Sequence, residues 1–284
     1  MKDLVLIVSA VSGIAIVFIL IGVSQTRKRI SGLLLELKTA RPTFKQRFSA
    51  KDLSHLPEPV SKYLKWALTE GQPTISEATF VQSGRLRTDS SSERWMDFTA
   101  IQKVSASTPG FVWNAKVKIA GPLHVRVLDS YIRGVGSGAV RLLSVLTVGN
   151  ASNAPELNSG ALHRYLAEAV WYPTALLPSA GVQWSAIDNQ RALATLRDHG
   201  VEVSLEFRFA PEGQVIGIYS PGRWGSFNGE YKQVAWEGRF ADYQTVQGMQ
   251  VPSKGEVGWY TQEKWAPVWQ GEVLRSEYSF EESK

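Results

Sequence analysis

The sequence predicts a mainly β protein with few helices. It would be one large curled antiparallel sheet of about eleven strands, a half-barrel covered by one or two helices, behind an N-terminal transmembrane helix. Three observations carry this prediction. Strict apolar/polar alternation recurs through most of the chain beyond residue 70. Turn chemistry punctuates it at short spacings, so successive strands are antiparallel neighbours. A run of 20 residues without a charge opens the chain. With 284 residues, 44% hydrophobic and 20% charged, the chain is neither disordered nor fibrous. The expected division is a transmembrane helix over 1–24, a basic juxtamembrane linker or helix over 25–50, and a single curled-sheet domain over 51–284.

The uncharged run is residues 4–23. As a helix it would be about 30 Å long, the thickness of a bilayer's hydrocarbon core. It exceeds the 7–15 residues or so of a signal-peptide apolar region. It is followed by Arg27-Lys28-Arg29 rather than a small-x-small cleavage site, so an uncleaved single membrane span is expected. Most of the nearby positive charge follows the run, which by the positive-inside rule puts the C-terminal domain in the cytoplasm. A long folded domain can be translocated regardless of charge, so a periplasmic or extracellular domain stays open. Ile30, Leu33, Leu34, Leu35 and Leu37 then form an apolar stretch with basic punctuation. It reads either as a helix lying on anionic lipid or as a continuation of the membrane helix, broken near Arg41-Pro42.

Val60, Tyr63, Leu64, Ala67 and Leu68 recur at helical spacing behind Pro57-Glu58-Pro59, predicting a short helix over 58–70. The clearest strands follow. Phe111, Trp113, Ala115, Val117 and Ile119 share one face, as do Val201, Val203, Leu205, Phe207 and Phe209. Further strands are expected over 75–88, 93–106, 122–133, 183–188, 191–198, 213–220, 233–245, 250–261 and 267–280. Gly134-Val-Gly136-Ser-Gly138 reads as a bend or bulge. A helix over 160–171, capped by Asn158-Ser159 and stopped by Pro173, carries Leu162, Tyr165, Leu166, Ala169 and Val170 on one stripe. Two helices cannot cover so many flat strands, so the sheet must curl around them.

The formal charge of +5 invites a nucleic-acid reading, and its distribution argues against one. Residues 1–47 carry eight of the 31 basic and two of the 26 acidic side chains, leaving the remaining 237 residues with 23 and 24. The basicity belongs to the N-terminal segment, not to the folded domain. No cysteine is present, which excludes disulfides, thiolate metal sites and cysteine nucleophiles. The four histidines lack metal-ligand spacing, and no phosphate-loop or nucleophile-elbow motif occurs, so neither metal nor cofactor is expected. Tyr260-x-x-x-Lys264 has a dehydrogenase spacing without a dinucleotide fingerprint and reads as chance.

Asp129 falls on the dry face if Val125, Val127 and Tyr131 do, and a carboxylate there must find a partner or shift its pKa. The alternative is a bulge that leaves it solvated. Arg164 and Glu168 are spaced i, i+4 on the helix: an ordinary ion pair, or the rim of a cavity. The tryptophans read as core filling, or as the lining of an apolar cavity for a lipid-like ligand. Candidate ligand-binding residues are Trp113, Asp129, Tyr131, Arg164, Glu168 and Trp171.

Leu56-Pro-Glu-Pro-Val60-Ser-Lys-Tyr63, Pro109-Gly-Phe-Val-Trp113 and above all the block from His163 through Trp171 and Pro173 to Pro178 resemble a bacterial family of unknown function, family 6544. Gly181-Val-Gln-Trp184 and Gly255-Glu256-Val257-x-Trp259 extend the resemblance over about residues 52–280. It implies a bacterial protein and no assigned chemistry. The strand count and helix placement are also similar to the lipoprotein-carrier half-barrels. That likeness implies a lipid ligand and a site outside the cytoplasm, against the charge-based orientation. The resulting expectation is a non-enzymatic, membrane-anchored module sheltering an apolar ligand. The alternatives are a tethered assembly protein that binds a partner through a sheet edge, and a hydrolase-like enzyme using Asp129, His163 or Glu168 as acid and base.

Overall fold

The computed structural model describes residues 2–39, 47–88, 92–121 and 123–280, with side chains from Val17 onward except Phe18. Helices α1 (Lys2–Thr39) and α2 (Glu58–Ala67) precede six strands. These are β1 (Ile75–Leu86), β2 (Met96–Ser105), β3 (Gly110–Ala120), β4 (Leu123–Ile132), β5 (Val135–Leu142) and β6 (Leu146–Ser152). Helix α3 (Pro155–Glu168) then leads through 3₁₀ turns to seven more: β7 (Gln183–Asp188), β8 (Arg191–Asp198), β9 (Val201–Phe209), β10 (Val215–Phe227), β11 (Glu230–Val246), β12 (Met249–Thr261) and β13 (Lys264–Phe280).

All thirteen strands form one antiparallel sheet in the order β6-β5-β4-β3-β2-β1-β13-β12-β11-β10-β9-β8-β7. Two meanders, β1–β6 and β7–β13, are thus sewn together by the pairing of first strand with last, Phe80 opposite Ser276 and Gly84 opposite Gly271. The sheet is not closed, since β6 and β7 are its two edges. Tight hairpins whose two central residues both have positive φ, such as Arg133-Gly134, His199-Gly200 and Asn228-Gly229, match the right-handed twist of the strands they join.

The strand count exceeds the expected eleven because β5 and β6 were not legible. The run Gly134–Gly138 forms the turn into β5 and its first residues, rather than a bulge. Its small residues serve close packing: a Cβ on Gly136 would stand 2.7 Å from the Leu157 carbonyl oxygen, and the Gly136 N–H donates to Asn158 Oδ1 at 2.8 Å. Asn158 therefore ties α3 to the sheet instead of capping it. The helix begins at Pro155, behind an Ala154 N-cap with no side-chain bond.

Helix α3 lies on the concave face between the two meanders. It meets β5 at Gly136 and β10 at Gly160, whose carbonyl accepts from Arg223 Nη2 at 2.8 Å. Leu162, Tyr165, Leu166, Ala169 and Val170 are all buried in one core with Val60, Tyr63 and Leu64 of α2 and Phe80, Phe111, Leu205 and Phe207 of the sheet. Each large apolar side chain so buried contributes about 1.5–3 kcal/mol, which is why both halves of the sheet bend toward the same helices.

The convex face is not wholly wet. Ile30, Leu33, Leu34 and Leu37 of α1, one helical stripe, pack against Val112, Leu128 and Ile132 of β3 and β4. Thr26 Oγ1 donates to the Ser144 carbonyl at 2.6 Å, and Arg133 Nη2 donates to the Thr39 carbonyl at 3.1 Å. Of the apolar stretch after residue 29, Ile30, Leu33, Leu34 and Leu37 are taken up by the sheet, while Leu35 stays exposed. The expected break at Arg41-Pro42 lies outside the described residues. So do most side chains of the expected membrane span, residues 4–23, whose backbone runs within α1. Among the described residues, no helix is long and apolar enough to cross a membrane.

Candidate ligand-binding cavity

Between the concave face and the C-terminal half of α3 lies a cavity of about 430 Å³, within the range of about 300–1,000 Å³ usual for small-molecule sites. Its walls are apolar: Trp113, Val117, Val125 and Val127 from β3 and β4, Val140 from β5, and Trp236, Val257, Trp259 and Trp269 from β11, β12 and β13. Trp171 closes it from the helix side, packed on Phe240 at 6.1 Å, Phe80 at 6.2 Å and Trp269 at 6.3 Å between ring centroids. Gly255 allows this approach, since a Cβ there would stand 3.2 Å from the Trp171 ring.

The floor is polar and charge-balanced. Arg164 Nε donates to Glu168 Oε1 at 2.8 Å and its Nη1 to Asp129 Oδ2 at 3.1 Å. The guanidinium lies over Trp113 at 4.8 Å and Phe111 at 5.0 Å. A chain of side-chain amides continues from it. Gln102 Nε2 donates to Glu168 Oε2, Gln82 Nε2 to Gln102 Oε1 at 3.0 Å, and Trp113 Nε1 to Gln82 Oε1 at 2.9 Å. Burial pushes the Asp129 carboxyl up, an effect Arg164 opposes and Glu168 reinforces. The second guanidinium, Arg223, stacks against Trp236 at 4.6 Å and Trp259 at 5.1 Å. Burial, reinforced by nearby Arg164, lowers its pKa to about 10.

Two donors in this lining are left over. Trp171 Nε1 and Arg223 Nε are buried and have no hydrogen-bond partner. Buried donors are ordinarily paired. Arg223 makes one hydrogen bond, to Gly160, and no ion pair among the described residues, whereas Arg164 is neutralised on two sides.

Of the residues the sequence singled out, Trp113, Asp129, Arg164, Glu168 and Trp171 converge on the cavity, and Trp113 stands directly opposite Asp129 across β3 and β4. Tyr131 does not line it. It is fully buried beneath α3, donating to Asp198 Oδ2 at 2.8 Å. His163 also faces elsewhere, lining an open depression with Ser159, Ser204 and Tyr219, its Nδ1 3.1 Å from the Ser159 carbonyl. Asp129 and Glu168 share the cleft but are joined through Arg164, so they form an ionic clamp rather than a free acid/base pair. Another open depression, of about 560 Å³, runs over charged side chains of β1, β11, β12 and β13. No group of three or more His, Asp or Glu side chains suited to a metal ion occurs among the described residues.

Sequence reasoning missed Gln82, Gln102 and Arg223. The first two carried a signal, being polar residues in register with Phe80 and Val104 on the dry face. Arg223 lies beyond Pro221-Gly222, where the strand was expected to end. Instead β10 passes the irregularity between Ser220 and Arg223 and runs on to Phe227.

Fold and site together define an unclosed, thirteen-stranded antiparallel sheet with an aromatic-lined cavity between it and α3. The chain belongs to a family of unknown function, DUF6544, whose model matches residues 46–271. No curated protein matches it significantly. Among solved structures it is similar to a DUF1329 family protein from Desulfovibrio piger, at 8% identity and a TM-score of 0.41 over 74% of this chain and 88% of that one. It is also similar to a LolA superfamily protein from Nitrosomonas europaea, at 8% identity and a TM-score of 0.38 over 77% and 91% of the two chains.

Proposed function

We propose that the chain is a membrane-anchored binding module, not an enzyme, whose cavity shelters an apolar ligand with a single chain and a hydrogen-bond-accepting end. One observation carries the reading: an apolar, tryptophan-lined cavity whose lining includes two buried N–H groups without acceptors, Trp171 Nε1 and Arg223 Nε. An acyl chain fits the walls, and a carboxylate or ester oxygen at its end suits the guanidinium of Arg223, which has no carboxylate partner among the described residues. The volume of about 430 Å³ suits one chain rather than a diacyl lipid. The anchor is residues 4–23, in a bacterial inner membrane. The positive-inside rule favours a cytoplasmic domain, with a periplasmic one as the alternative.

The test is native mass spectrometry of the full chain in mild detergent, with organic extraction of whatever it carries. The expected result is a reproducible lipid-sized adduct, lost in Val127→Trp, which fills the cavity, and weakened about tenfold in Arg223→Gln. A wild-type chain that neither carries nor takes up an added long-chain fatty acid overturns the reading. A second reading, a tethered assembly protein, is favoured by the two unpaired sheet edges, β6 and β7. In that case the chain would capture a partner with the cavity filled by Val127→Trp as well as without it.

A further inference from the structure

The path of α1 along the barrel decides which end of the cavity meets the bilayer. The turns between β3 and β4 and between β5 and β6 lie at one end of the sheet; the β2–β3 and β4–β5 turns lie at the other. Helix α1 touches the first end at Gly22 and Thr26, where a Cβ on Gly22 would collide with Val145 and Thr26 holds Ser144. It touches the second end at Leu37, which packs by Gly110, and at Thr39, which accepts from Arg133. The 15 residues from Gly22 to Leu37, a rise of about 22 Å, therefore run along the convex face. The helix backbone continues N-terminal to Gly22 past the first end. There Val17, Ile19, Leu20 and Ile21 stand exposed.

The cavity's outermost lining comes from that same end: Leu86, Met96, Val125 and Trp259, at or near the ends of their strands. Around it are apolar side chains that nothing covers: Leu123 at 45%, Leu143 at 40%, Leu146 at 53% and Val148 at 58% exposure. Three of these belong to the β5–β6 hairpin that α1 grips. Arg27 and Lys28 are exposed at the same level. Apolar side chains backed by cations, contiguous with an apolar helix, match the surface of an anionic bilayer.

We infer that the mouth of the cavity is seated on the bilayer, with the β5–β6 hairpin dipping into the headgroup region, so that ligand passes between membrane and cavity without crossing water. This rests on the reading of residues 4–23 as a membrane span. The occupant of the apolar rim is the anionic phospholipid surface itself.

The absence of cysteine in the native chain makes the test direct. Full-length Leu146→Cys, Leu123→Cys and, from the far half of β2, Lys103→Cys are each labelled with an environment-sensitive fluorophore. They are reconstituted into vesicles of phosphatidylcholine and phosphatidylglycerol, with and without brominated acyl chains. All three sites are exposed, so labelling leaves the core untouched. Quenching by brominated lipid at residues 146 and 123 is expected to exceed that at 103 by at least about threefold. Flotation of the same labelled chains reads the anchor separately. A chain that does not float with vesicles overturns anchor and orientation together. A chain that floats while residue 146 is quenched no more than 103 overturns the orientation alone. A label at 146 that is shielded from water yet unquenched by lipid means that a second copy of the chain covers the edge, which also overturns it.

Discussion

Arg164 bridges two carboxylates and lies over two aromatic faces, so its removal strands Asp129 and Glu168 together under α3. Arg164→Leu is expected to destabilise the domain by about 2–3 kcal/mol in urea denaturation, because like charges would then share a partly desolvated site. The paired change of Arg164→Leu with Glu168→Gln should recover part of that loss. His163 gives a pH signature instead. Burial, with Arg223 adding to it, lowers its pKa from 6.5 to about 4. The unfolded chain therefore binds the extra proton between those values, and stability falls as pH drops from above 6.5 toward 4. The loss is about 3 kcal/mol when complete. His163→Gln should flatten that part of the stability profile measured from pH 7 to 4, and an unchanged slope would assign the acid sensitivity to other groups.

At the scale of elements, two contacts fix how helices meet the sheet. Gly136 lets α3 lie against β5 within reach of the Leu157 backbone, so Gly136→Val must push the helix off the strand. A cost of about 2 kcal/mol or more in thermal or urea unfolding is expected, with weaker retention of the proposed ligand because α3 carries Arg164 and Glu168 of the cavity's floor. Helix α1 is held to β3 and β4 by its Ile30, Leu33, Leu34 and Leu37 stripe. Leu33→Asp with Leu37→Asp should release it, seen as faster amide exchange in β3 and β4 near Val112 and Leu128 while the β9–β10 region keeps its protection. The alternating strands were legible because alternation rests on local sterics. The stripe of α1 was legible as apolar, but its partner was not. The residues that receive it, Val112, Leu128 and Ile132, come from two strands and look like ordinary strand residues.

At the scale of the molecule, β13 is the seam. It lies between β1 and β12 and joins meanders whose other strands pair only with their sequence neighbours. A chain ending before Lys264 should therefore lose its cooperative unfolding transition, whereas trimming after Phe280 should leave it intact; circular dichroism on heating distinguishes the two. Pairing residues 75 and 280 also demands a long loop closure, which places such a sheet among slow-folding topologies.

The sequence by itself determined the strands with clean alternation and the buried stripe of α3, and it raised Trp113, Asp129, Tyr131, Arg164, Glu168 and Trp171 as candidates only. These follow from period, turn chemistry and the cost of leaving a charge on a dry face, all local properties. Only the tertiary structure decided that Gly134–Gly138 begins a strand, that Tyr131 and His163 turn away from the cavity, that Arg223 lines it, and that Gln82 and Gln102 back its floor through hydrogen bonds to Glu168 and Trp113. The reason is physical: each of those outcomes depends on which backbone lies opposite, and opposition across a sheet or under a helix is set by register and curl, not by neighbours in sequence. The course of α1 past the cavity mouth is of the same kind, fixed by packing between segments more than a hundred residues apart, Thr26 on Ser144.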